Sequence, residues 1–144
     1  MANYYGSCRT NYFKVRDEKA FEAAIEALPN VECHRSDGAI DAKHAGLYCI
    51  LGNDMDGAGW PTSQYIEETD DHTHLDLVDE VYPHLADGEV AIFVEVGAEK
   101  LRFLVGYAEA VNNKGERIIV SLLDIYEKAE GLTDRPSDIT TAEY

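Results

Sequence analysis

The residues best equipped for chemistry in this 144-residue chain fall in one short stretch, Asp70-Asp71-His72-Thr73-His74-Leu75-Asp76, which places two imidazoles and three carboxylates within seven positions. In extended backbone, side chains two positions apart share a side. His72 and His74 then point together, and Asp76 completes a candidate site for a divalent metal. That set would suit a metal-binding protein or a metal-dependent hydrolase. His-x-His is a short, common pattern, and the competing expectation is a solvated loop whose histidines temper an acidic run. Cys33, His34, His44 and Cys49 also carry zinc-type ligand atoms, but their spacings match no finger or ribbon. No nucleophile elbow, phosphate-cradling glycine loop or dinucleotide fingerprint occurs. The sequence therefore predicts a non-enzymatic role, with no catalytic residue and no cofactor.

Charge is the second source of chemistry. The chain has 28 Asp and Glu against 12 Lys and Arg, a formal net charge of −16. Nucleic-acid binding draws on cations that neutralise phosphates, so direct binding to nucleic acid is disfavoured, as is binding to an anionic membrane surface. The charge is also segregated. Between Lys43 and Lys100 there is no Lys or Arg, while thirteen acidic residues occur, with six basic residues on each side of this window. Segregated like charge is a solvated face kept for solubility or a site for a cationic partner.

Aromatic residues among these acids favour the partner. Trp60, Tyr65 and Tyr82 lie within the window, and aromatics beside charges are the composition of a protein–protein hot spot with an electrostatic rim. The candidate partner-binding residues are Asp54, Asp56, Trp60, Tyr65, Glu67, Glu68, Asp70, Asp71, Asp76, Asp79 and Glu80, with the carboxylates steering and Trp60 anchoring. The expected partner is a basic surface of another protein. If that surface normally holds nucleic acid, a patch of carboxylates can imitate the phosphates. A regulatory or structural subunit is a further reading.

The elements that must position these residues can be read from periodicity. Thr10 to Arg16 alternates as a half-buried strand does, with Phe13 and Val15 on one side. Asp17 reads as an N-cap for a helix carrying Phe21, Ala24, Ile25 and Leu28, stopped at Pro29-Asn30. Val31 to Arg35 and Leu47 to Leu51 are short strands. Residues 52–73 show no periodicity and read as a long acidic loop, a feature that in compact domains is usually functional or disordered. Leu75, Val78, Tyr82 and Leu85 line a short helix that Pro83 ends. The segment from Val90 alternates, passes a connection at Gly97-Ala98-Glu99, and alternates again through Leu101, Phe103, Val105 and Tyr107. Asn112-Asn113-Lys114-Gly115 then turns into Ile118, Val120 and Leu122, completing a three-strand antiparallel meander. Asp124 with Glu127 resembles a capping box for a short helix ending at Gly131, and a polar tail runs from about residue 132.

Strands near both ends with helices between them imply an α+β fold, an antiparallel sheet packed by two or three helices, in a single domain over residues 1–144. The N-terminal stretch lacks the apolar run of a signal peptide. Three cysteines without Cys-x-x-Cys spacing suit a reducing compartment, so the expected location is the cytoplasm.

The segments Arg9-Thr10-Asn11-Tyr12-Phe13-Lys14-Val15-Arg16-Asp17, Glu95-Val96-Gly97-Ala98-Glu99-Lys100-Leu101-Arg102-Phe103, Asp124-Ile125-Tyr126 and Thr141-Ala142-Glu143-Tyr144 are similar to those of small acidic accessory proteins carried by bacterial phages and plasmids. That resemblance carries no residue roles. It implies an accessory gene of a mobile element, where small acidic proteins often inhibit host restriction or CRISPR machinery.

Overall fold

The computed structural model describes residues 4–52, 59–99 and 103–142. Its elements follow as β1 (Tyr4–Thr10), α1 (Glu18–Glu26), β2 (Val31–Arg35), β3 (Tyr48–Gly52), β4 (Ser63–Ile66), β5 (Asp71–His74), α2 (Leu77–Val81), β6 (Val90–Glu99), β7 (Phe103–Asn112), β8 (Arg117–Ser121) and α3 (Asp124–Ala129). One six-stranded sheet has the order β2-β3-β1-β6-β7-β8, and β4 and β5 pair with each other as a separate hairpin. All pairings are antiparallel. The fold is α+β, as the order of elements implied.

Local chemistry explains α1. Asp17 is extended and its Oδ1 accepts the Ala20 N–H at 3.0 Å, satisfying a donor that the first turn leaves orphaned. Phe21 and Ile25, four positions apart, are fully buried. Burying each contributes roughly 2–3 kcal/mol. After the C-cap at Ala27, Asn30 takes a left-handed φ of 58° and redirects the chain into β2. Phe21 meets Phe13 and Tyr48 edge-on, at centroid distances of 5.8 and 5.2 Å. The core continues through Ile50, Val81, Leu85, Ala91, Phe93 and Val111. It fills one side of the sheet, covered by α1, α2 and the Trp60 segment.

Several expectations change. The first strand ends at Thr10 instead of beginning there. Asn11 stops the ladder with its own side chain, donating to the Val90 carbonyl at 3.0 Å and accepting from Ile92 N–H at 2.8 Å. The chain then leaves β6, and Phe13 and Val15 form single bridges to Tyr48 and Leu85. The 52–73 stretch is not all loop, because it contains β4 and, from Asp71, β5. Gly97 to Glu99 continues β6 rather than turning. The C-terminal helix has no capping box. Its N-cap is Leu123, and Asp124 instead accepts the Ser121 N–H at 2.8 Å.

The two faces of the sheet differ in character. Residues opposite each other across the ladders share a face. Thr10, Phe93, Ala91 and Val111 point into the core, while Val90, Ile92, Val94 and Val96 of β6, Leu104, Gly106, Ala108 and Ala110 of β7, and Ile118 and Val120 of β8 point away from it. No described helix buries this outer face, and α3 itself has no buried residue.

Candidate functional site

The β4–β5 hairpin gathers the densest of the expected site residues. Tyr65 lies opposite His72 and Ile66 opposite Asp71, so Glu67, Glu68, Thr69 and Asp70 form the turn. Asp70 takes a left-handed φ of 52°, a region that Asp tolerates better than most residues. Glu67, Glu68, Asp70 and Asp71 are all exposed, and none forms an ion pair with a described residue. Tyr65 is 50% exposed and donates its hydroxyl to Asp70 Oδ1 at 2.5 Å, which raises its pKa. Its ring meets His72 at 5.5 Å. The hairpin is entered from Trp60 and left at Leu75, both buried on the helix side of the sheet.

Trp60 corrects the expectation of an exposed anchor. It is 8% exposed, packs edge-on against Phe93 at 5.6 Å, and donates its backbone N–H to the buried Glu95 Oε1 at 2.7 Å. Gly59 permits this, with a φ of +87° and no room for a Cβ beside Glu95. Trp60 forms the base of a cleft of about 170 Å³ shared with His74, Asp76, Tyr107 and Glu109. Its indole Nε1 and Glu109 Oε1 have no hydrogen-bond partner among the described residues.

The acidic window is not one continuous patch. Asp76 and Asp79 both meet Arg117, at 2.9 and 2.6 Å, and Glu109 lies 3.5 Å from the same guanidinium. Asp87 meets Arg16 at 3.2 Å. Cations from outside the window thus reach into it across the fold. Arg117 holds the Asp76 carboxyl below its usual range, whereas burial pushes Glu109 up. Glu80 is exposed on α2. Asp54 and Asp56 lie outside the described residues. What remains together is the hairpin set with Tyr65.

The metal-ligand set is dispersed as well. His72 and His74 share a side of β5, but Asp76 is committed elsewhere: its Oδ1 accepts the Val78 N–H at 3.1 Å as the α2 cap, and its Oδ2 accepts from Arg117. Among the described residues no group of three or more His, Cys, Asp or Glu side chains is placed to hold a metal ion. No helix among them is long and apolar enough to cross a membrane.

Sequence reasoning missed Arg117, Glu109 and Tyr107, whose roles depend on contacts between distant segments. Burial and the Glu95 charge push the Tyr107 phenol up to about 12. It also missed the apolar outer face, although a period-two run of Val or Ile at positions 90, 92, 94 and 96 of β6 was a readable signal. No protein-family model matches the chain, and neither a curated protein nor a solved structure matches it.

Proposed function

We propose that the protein is an acidic protein-binding module that occupies a basic surface of another protein, acting as a nucleic-acid-mimicking inhibitor of a host restriction or CRISPR complex. The observation that supports this reading is the hairpin turn, where Glu67, Glu68, Asp70 and Asp71 stand exposed with no described cation beside them. Like charges repel by about 1 kcal/mol per pair in water at 4 Å. A cationic partner relieves that repulsion and displaces the counterions gathered around the carboxylates, as it displaces those condensed on nucleic acid. Tyr65 adds a half-exposed aromatic surface at the base of the same turn.

The test is capture from a bacterial lysate by the full chain and by the variant Glu67→Gln, Glu68→Gln, Asp70→Asn, Asp71→Asn, at low and high salt. The wild type should retain proteins that duplex DNA or structured RNA displaces. The variant should lose them, and raising salt from about 50 to 500 mM should weaken retention at least tenfold. Equal capture by both chains, or capture indifferent to salt and nucleic acid, overturns the proposal.

A further inference from the structure

We infer that the outer face of β6–β7–β8 is the interface of a homodimer, occupied by the same face of a second copy of this chain. Val90, Ile92, Val94, Val96, Leu104, Ile118, Val120 and Leu122 are exposed there by between 37% (Ile92) and 72% (Ile118). Together they present on the order of 600 Å² of apolar surface, the upper end of what a monomer normally shows as its largest patch. Two copies pairing through it would remove about 1,200 Å² from water, the lower bound for a specific, stable interface.

The shape of the face suits itself. Down β7 the outward residues after Leu104 are Gly106, Ala108 and Ala110, a shallow trough one strand wide. The β-branched residues of β6 form a ridge on one side of it, and Ile118 and Val120 of β8 form another ridge on the other. Leu122 closes one end, its side chain lying across Gly106 where a Cβ would have stood. Neighbouring strands are about 4.8 Å apart. A two-fold axis parallel to the strands, midway between β6 and β7, sets the β6 ridge of each copy over the β7 trough of the other and the β8 ridge over the partner's β1, whose outward Ser7 and Arg9 bring no carboxylate to the contact. Such an isologous contact closes at two copies.

Charge argues for the same occupant. A chain of net charge −16 repels its own copy, so a self-interface must be free of carboxylates. The outward positions 90, 92, 94, 96, 104, 106, 108, 110, 118 and 120 carry no charged residue, whereas Glu95 is buried from the other face of β6 and Glu109 of β7 lines the cleft on that side. A basic partner would instead find no acid here to pair with. The hairpin emerges from the opposite layer, so dimerisation leaves it accessible.

Light scattering coupled to size exclusion tests this on the full chain. The wild type should elute with twice the 16.0 kDa chain mass at micromolar concentrations, and added salt should tighten the dimer by screening like charges. Salt thus acts on it with the opposite sign to its effect on capture by the hairpin, so the two proposals fail separately. Ala108→Trp, which fills the trough, and Val94→Glu, which puts a carboxylate on the ridge, should each raise the dimer dissociation constant at least tenfold with an unchanged circular dichroism spectrum. Ile40→Glu, at a fully exposed position elsewhere, should leave the mass doubled. A wild type that stays monomeric at 100 µM in high salt, or a dimer that survives both face variants, overturns the inference.

Discussion

Replacing Arg117 with Met tests the electrostatic account most directly. The guanidinium bonds Asp76 and Asp79 and approaches Glu109, so removing it leaves three carboxylates around an apolar side chain of similar length. Breaking a fully buried pair costs about 3–5 kcal/mol, but these groups are part-exposed, with Arg117 at 29%, Asp76 at 33% and Asp79 at 61%. Solvent screening reduces the Asp79 contact to a few tenths and brings the total to roughly 2 kcal/mol. At this chain length that lowers Tm by roughly 4–8 °C. The pH dependence carries the sharper information. Asp76 has a folded-state pKa below its unfolded value because of Arg117. The stability it contributes is present above the unfolded value and is lost as pH falls through the depressed one. Glu109 works in the opposite sense: its raised pKa gives stability present below the unfolded value and lost as pH rises through the raised one. Urea unfolding of both chains from pH 8 to pH 3 should therefore show a difference of about 2 kcal/mol at neutral pH that shrinks toward zero in acid. A difference under about 0.5 kcal/mol at pH 7, or one independent of pH, would refute the reasoning.

Ultraviolet titration should show Tyr107 ionising near pH 12, because burial and Glu95 disfavour the phenolate. Its raised pKa also predicts that stability present below the unfolded value near 10 is lost as pH rises through 12; Tyr107→Phe should flatten that alkaline decline, measured by urea unfolding at pH 9 and 11. Gly59→Ala should destabilise by about 2 kcal/mol or more in the same assay, since the new Cβ must displace the Glu95 carboxylate at a left-handed backbone position. A loss below about 0.5 kcal/mol would mean that the Trp60 segment shifts without cost.

Much of the scaffold was legible because it rests on local rules. Asp17 followed by Phe21 and Ile25 fixed α1, and the alternation from Val90 with the Asn112–Gly115 turn fixed β6 to β8. The hairpin was not legible, because β4 half-buries only Gln64 and Ile66 and every residue of β5 is exposed, which leaves too little hydrophobic period to read. β1 was missed for a related reason, as its core-facing residues include Cys8 and Thr10, which differ little in polarity from their neighbours. At the candidate site, the clustering of Glu67 to Asp71 followed from adjacency in the chain. The diversion of Asp76, Asp79 and Asp87 into ion pairs did not, because their partners Arg117 and Arg16 lie some forty and seventy positions away.

The central placement of β1 has a consequence for how the chain is made. This strand sits between β3 and β6, yet its longer ladder joins Thr10 to Phe93 and Tyr4 to Glu99. On a ribosome, the segment emerges before β6 and waits until that partner has left the exit tunnel. At about 5–20 residues per second that delay lasts several seconds. Meanwhile α1 and the β2–β3 pair can form from nearby sequence, and the meander can zip up through short-range hairpins as it appears. Pairing of β1 with β6, across some ninety positions of chain, is then the least local step of assembly.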